Sequence, residues 1–137
     1  LGDVYKRQLM DEPSNGLDIP SKSQFRKVIA SGMTDDKSVI ISTHQVRDID
    51  SLLDHVVIID GTHVLLNESV KDICAKLYFA EQGMNEPTGD ALYVQPSVQG
   101  NSVILSNVYN EETKLNLEVL FNAMLAEREK MQSIFNK

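Results

Sequence analysis

Basic charge, cysteine and long apolar runs are all scarce in this chain. Thirteen Lys and Arg stand against twenty Asp and Glu, giving a formal net charge of -7 over 137 residues. That sign argues against non-specific nucleic-acid binding, which rests on neutralising phosphates with a basic surface. It argues equally against docking on anionic lipid through a basic patch. Cys74 is the only cysteine, so no disulfide can form within the chain. This suits a reducing compartment, and the apolar helical pattern around Cys74 marks it as a small core residue. No apolar stretch, Val56-Val57-Ile58-Ile59 and Val64-Leu65-Leu66 included, approaches the length that spans a bilayer. There is no internal repeat and no low-complexity tract. What is present is ordinary for one globular domain, with 42% apolar and 24% charged residues.

The pattern of elements comes next. Leu9-Met10 runs straight into Asp11-Glu12 and then Pro13, the profile of a buried strand whose tip carries two acids. Pro13 has no N–H to donate and ends the ladder. Ile19-Pro20-Ser21 suits a helix start, with Pro20 in the first turn. Phe25, Val28 and Ile29 then share one face, and Ser31-Gly32 with Thr34-Asp35-Asp36 end that helix. Val39-Ile40-Ile41 is a short β-branched run, as in a buried parallel strand. Val46, Ile49, Leu52 and Leu53 predict a second helix over Gln45 to Leu53. Val56 to Ile59 reads as a third strand, and Asp60-Gly61 as a tight turn that sends Thr62 to Leu66 back antiparallel. Strand, helix, strand, helix, strand is the alternation of an α/β domain with a parallel sheet.

Beyond Asn67 the character changes. Ser69 is placed to cap a short amphipathic helix carrying Val70, Ile73, Cys74 and Leu77. Glu81 to Asp90 reads as a linker. Ala91 to Val94 and Ser102 to Val108 read as strands, with Gly100-Asn101 near the turn. Leu117, Leu120, Phe121, Met124, Leu125 and Met131 predict a C-terminal helix with a continuous apolar stripe. Periodicity alone leaves open whether that stripe covers a sheet or meets a partner.

Three segments carry chemistry. Leu9-Met10-Asp11-Glu12-Pro13 is followed at once by Ser14-Asn15-Gly16-Leu17-Asp18. Ser38-Val39-Ile40-Ile41-Ser42-Thr43-His44 comes about twenty-five residues later. In this order and spacing they resemble the Walker B motif, the D-loop and the H-loop of ABC-type ATPases. The resemblance covers roughly Leu9 to Glu68, about half the chain. Asn15-Gly16 departs from the alanine or serine-alanine more often found in this loop, which puts the loop's geometry in question. The family's other parts are not in this sequence: no Gly-rich loop GxxxxGK[ST] to cradle phosphates, no Ser-Gly-Gly signature segment and no glutamine loop. All three would precede Leu9. The chain is therefore expected to be the C-terminal part of a longer protein, starting at Walker B.

The first residues fit that expectation. Lys6, Arg7 and Gln8 stand where a central strand should be apolar. Asp3-Val4-Tyr5-Lys6-Arg7-Gln8 resembles a peptide read from a transposon adapter used in preparing sequencing libraries. Leu1 to Gln8 is thus expected to be a cloning or assembly scar, the other reading being a native, exposed arm. Residues 9–68 are expected to be the C-terminal half of a P-loop NTPase domain of ABC type, with parallel strands, helices and an edge hairpin. Residues 69–137 are expected to form a small α+β extension ending in an amphipathic helix.

The resemblance implies specific roles. Asp11 would bind Mg²⁺ through water, since magnesium keeps several waters. Glu12 would act as general base on the attacking water. Two adjacent carboxylates repel, and the metal's charge would let both stay ionised. His44 would reach the terminal phosphate and hold the water and Glu12 in line. Asp18 would sense nucleotide at the opposite site of a head-to-tail dimer, or simply serve as a helix-start acid favoured by the dipole. His55 and His63 match no motif. The cofactors implied are ATP and Mg²⁺. The partners implied are a second ATP-binding subunit and membrane permease subunits, with no nucleic acid. The place implied is the cytoplasmic face of the membrane. By itself the chain is expected to be inactive, lacking a phosphate loop. Two alternatives stand beside transport: a soluble ABC-type ATPase acting on ribosomes or DNA, and a non-catalytic interaction module in which Asp11 and Glu12 are surface acids.

Overall fold

The computed structural model describes residues 6–13, 15–33 and 37–136. Residues 1–5 of the expected scar, Ser14 of the D-loop and the Thr34-Asp35-Asp36 helix stop lie outside these. The chain falls into two compact units, one ending at Leu52 and one beginning at Leu53.

The first unit holds a parallel pair of strands, β1 (Lys6–Asp11) and β2 (Lys37–Ser42), joined through helix α1 (Ile19–Gly32). Leu9 lies opposite Ile40, Met10 opposite Ile41, and Asp11 opposite Ser42. Both strand tips therefore end at the same level, each followed by a polar segment. The strand begins at Lys6 rather than at Leu9, so the Lys6-Arg7-Gln8 backbone pairs in the ladder. The expectation of a strand buried on both faces is not met in this unit, where Leu9 is 76% and Ile40 53% exposed. Helix α1 starts as its sequence predicts. Asp18 caps it by accepting a hydrogen bond from the Ser21 backbone N–H at 2.8 Å, and Pro20 fills the first turn, where a missing N–H costs nothing. None of its residues is buried; Phe25 and Ile29 are half-buried and Val28 is exposed.

The helix expected over Gln45 to Leu53 is not formed. A single 3-10 turn spans Val46–Asp48, and turns follow it. Gln45 supplies no side-chain cap, and Asp50, Ser51 and Asp54 belong to the residue types that compete with helical hydrogen bonding.

In the second unit, β3 (His55–Asp60) and β4 (His63–Ser69) make an antiparallel hairpin closed by Gly61-Thr62. Gly61 sits at φ +60°, the left-handed region that the Asp60-Gly61 signal called for. Among the described residues β3 pairs only with β4, so it is not a third strand of the β1–β2 sheet. The hairpin packs within the C-terminal unit. Gln132 donates to the Leu65 carbonyl at 3.1 Å, and Arg128 pairs with Asp60.

Helix α2 (Val70–Lys76) is capped by Ser69, whose hydroxyl accepts from Asp72 N–H at 3.0 Å. It ends sooner than expected, because Leu77 opens strand β5 (Leu77–Gln82). With β6 (Tyr93–Ser97) and β7 (Gly100–Ser106), β5 forms a three-stranded antiparallel sheet with β7 in the centre. At the β6–β7 turn Gly100 has φ +151°, and a Cβ there would lie 2.1 Å from the Gln82 carbonyl oxygen. Only glycine fits that approach.

The expected C-terminal helix is two helices, α3 (Leu117–Ala126) and α4 (Arg128–Phe135), broken at Glu127. Its apolar stripe faces a core. Ile73, Leu77, Ile104, Leu120, Met124 and Met131 are wholly buried, each worth about 1.5–3 kcal/mol of transfer free energy. That decides between the two readings of the stripe for Leu120, Met124 and Met131, while Leu125 stays 40% exposed. Cys74 is half-buried, and the burial it has pushes its thiol pKa up. No helix among the described residues is long and apolar enough to cross a membrane.

Candidate functional site

The site lies at the C-terminal ends of β1 and β2. The parallel register carries Asp11 to the level of Ser42, so the residues just past each tip, Glu12 on one strand and Thr43 and His44 on the other, are neighbours in space. Glu12 extends the pairing by one bond, from its N–H to the Ser42 carbonyl at 2.7 Å. It then turns sharply, at φ +47°. Its own carbonyl accepts from Asn15 N–H at 3.1 Å, closing the turn after Pro13.

Both oxygens of the Glu12 carboxylate are engaged. Oε2 accepts from the Thr43 hydroxyl at 2.8 Å. Oε1 accepts from the His44 backbone N–H at 3.0 Å and faces His44 Nδ1 at 2.5 Å. A carboxylate only accepts, so the proton between them sits on Nδ1 and Nε2 is the outward-facing nitrogen. The His44 side chain is 78% exposed and that of Glu12 27%. Partial desolvation pushes the Glu12 pKa up, but the hydrogen bonds from Thr43 and His44 and the attraction of the His44 ring outweigh it. The net result lies below the usual glutamate value. Glu12 is held as an ionised acceptor.

A second set of bonds fixes the frame around this pair. The Gln45 backbone N–H donates to Thr43 Oγ1 at 2.9 Å. The Gln45 side chain donates to Asn15 Oδ1 at 3.1 Å and accepts from Lys22 Nζ at 3.5 Å. Asn15-Gly16, the departure noted in the sequence, thus makes its own contact: Asn15 ties the turn to the segment after His44. Thr43 and Gln45 were not singled out as site residues. The available signal was position alone, a hydroxyl and an amide flanking the histidine.

Asp11 ends β1 with an exposed side chain. Among the described residues no group of three or more His, Cys, Asp or Glu is gathered to hold a metal. Magnesium does not demand one, since it is bound through one or two carboxylates with water and phosphate completing its shell. Glu12 is occupied by Thr43 and His44, and Asp11 beside it carries the exposed carboxylate. Asp18 caps α1, and its bonds from Ser21 hold its pKa below the usual value. His55 bonds Asn67 at 2.6 Å and His63 stands beside the Thr62 hydroxyl, both away from the motif residues in the sequence and both in the hairpin.

Comparison with known proteins agrees with the motif reading. No family model matches the chain. An ABC transporter ATP-binding protein of Methanocaldococcus jannaschii is 33% identical over 73 residues, 53% of this chain and 28% of that protein. The ABC transporter ATP-binding protein NatA of Bacillus subtilis is 31% identical over 65 residues, 47% of this chain and 26% of its own length. The ABC transporter ATP-binding protein YdbJ of the same organism is 28% identical over 111 residues, covering 80% of this chain and 32% of YdbJ. The chain thus spans about a quarter to a third of the length of these relatives. These matches bear out the resemblance carried by the three motifs: over about half its length or more the chain is similar to ABC transporter ATP-binding proteins.

Proposed function

We propose that this chain is the C-terminal part of an ATP-binding and ATP-hydrolysing subunit of an ABC transporter. In this reading residues 9–68 belong to the C-terminal half of a P-loop NTPase domain. The observation that carries it is the convergence of Glu12 and His44, 32 positions apart in sequence, at the tips of two adjacent parallel strands. The relatives are all named as ABC transporter ATP-binding proteins, which supports transport over the ribosomal or DNA-directed alternative.

Phosphoryl transfer needs positioning and charge stabilisation more than covalent chemistry. Glu12, ionised by its hydrogen bonds, accepts a proton from the water that attacks the terminal phosphate. His44 keeps one ring nitrogen on Glu12 and presents the other outward, toward that phosphate. Asp11 would hold Mg²⁺, and the ion would supply positive charge against the phosphate oxygens. Asp18 lies in the loop that faces the nucleotide site of a second ATP-binding subunit. Membrane permease subunits complete the transporter, and the subunit sits on the cytoplasmic face of the membrane. The 137 residues contain no phosphate loop, so by itself this chain does not turn over ATP in this proposal.

The test is made on the longer gene product that includes this sequence. Glu12→Gln should cut ATP turnover on the order of 10²-fold or more while ATP binding stays intact. Turnover near the unmutated rate in that variant would remove Glu12 from the mechanism.

A further inference from the structure

Thr43 does something that none of the three motifs assigns to it. Its hydroxyl has a single proton, and its oxygen already accepts from the Gln45 backbone N–H at 2.9 Å. The proton is therefore directed at Glu12 Oε2, 2.8 Å away. Gln45 is itself held, through its side chain, by Asn15 and Lys22, so the N–H that orients the hydroxyl is fixed in turn. The two oxygens of Glu12 are thus anchored differently. Oε1 depends in part on the His44 ring, which is exposed and can turn toward another partner. Oε2 depends on Thr43, a half-buried side chain whose direction is set by backbone.

We propose that Thr43 is a positioning residue for Glu12: its hydroxyl holds the carboxylate in one orientation, independently of where the His44 ring goes. This rests on the reading of Glu12 as the general base given above. A base must keep its acceptor oxygen aimed at one point through the reaction. If the ring leaves Oε1, the Thr43 hydroxyl and the His44 backbone N–H still hold both oxygens. Oε1 then has an acceptor site open on the side where the ring stood. Valine at 43 would keep the shape and lose the anchor; serine would keep the anchor.

The orientation of the Glu12 carboxylate reads this directly, in crystal structures of the unmutated chain, of Thr43→Val and of Thr43→Ser. In the unmutated chain and in Thr43→Ser the hydroxyl at position 43 should lie within hydrogen-bond distance of a Glu12 carboxylate oxygen, about 3.5 Å or less. In Thr43→Val the carboxylate should turn away from its place in the unmutated chain. A carboxylate that keeps its place in Thr43→Val overturns the proposal. So does a carboxylate displaced as far in Thr43→Ser as in Thr43→Val, which would trace the effect to packing of the methyl group. If Thr43→Val does not fold, the unmutated chain decides: Thr43 Oγ1 within hydrogen-bond distance of the Glu12 carboxylate supports the proposal, and a separation beyond about 3.5 Å refutes it. Turnover is a separate arm. In the longer gene product Thr43→Val should lower kcat on the order of 10-fold to 10²-fold with KM unchanged, and Thr43→Ser should restore it. Absence of turnover in the unmutated protein would count against the proposed function and leave the structural result standing.

Discussion

His44 Nδ1 lies 2.5 Å from Glu12 Oε1, joining two strand tips across a sequence separation of 32 positions. The same Oε1 also takes the His44 backbone N–H at 3.0 Å. One residue thus bonds the acid twice, once through a group that cannot leave and once through a ring that can. The proposed function needs the ring's outer nitrogen. In the longer gene product, His44→Ala should lower ATP turnover on the order of 10²-fold. ATP affinity should change far less. A steady-state assay with full activity in His44→Ala would take the imidazole out of the mechanism.

The hydrogen bonds on Glu12 also set a pH dependence of stability. Its pKa in the folded chain is below the usual value, because the bonds from Thr43 and His44 outweigh the desolvation that pushes it up. A carboxyl with a depressed folded pKa stabilises the fold fully above its unfolded value, about 4.3, and loses that contribution as pH falls through the folded value. The thermal unfolding midpoint of the unmutated chain should therefore exceed that of Glu12→Gln at about pH 6. The gap should close as the pH is taken below the glutamate range. A difference that stays constant down to about pH 3 would mean that Glu12 is not held in its charged form.

Asp18 has two roles to keep apart. It caps α1 through the Ser21 N–H at 2.8 Å, and in the proposed function it also faces a second nucleotide site. Asparagine caps a helix about as well as aspartate, whereas alanine does not. Asp18→Asn should leave the thermal midpoint of this chain near the unmutated value, and Asp18→Ala should lower it. Circular dichroism melts decide. Equal losses in both variants would show that the charge, not the cap, is what the fold uses.

Much of the site was legible because strand ends announce themselves. Asp11-Glu12-Pro13 after Leu9-Met10, and Thr43-His44 after Val39-Ile40-Ile41, each mark a tip, and a parallel pair brings two such tips together. The helix start at Ile19-Pro20-Ser21 and the cap at Ser69 were readable for the same reason, since each depends on a few adjacent residues. What was not legible depends on competition or on distant partners. Val46, Ile49, Leu52 and Leu53 have helical spacing, yet the segment lacks a cap and folds into a 3-10 turn. Leu77 continues the apolar spacing of α2 but opens β5, because a short apolar run ending in Tyr78-Phe79 suits either state and the pairing with β7 decides it. The anchoring role of Thr43 exists only once Glu12 and Gln45 stand beside it, and no local pattern encodes that.

The central claim is spatial, and one structure tests it most directly. The longer gene product should be crystallised as Glu12→Gln with ATP and Mg²⁺. The account predicts His44 Nε2 at about 2.6–3.2 Å from a terminal phosphate oxygen, with the residue at position 12 at a similar distance from the in-line water. It also predicts Asp11 on the metal, directly or through one water. A terminal phosphate bound elsewhere, with these three side chains outside its cleft, would contradict the account.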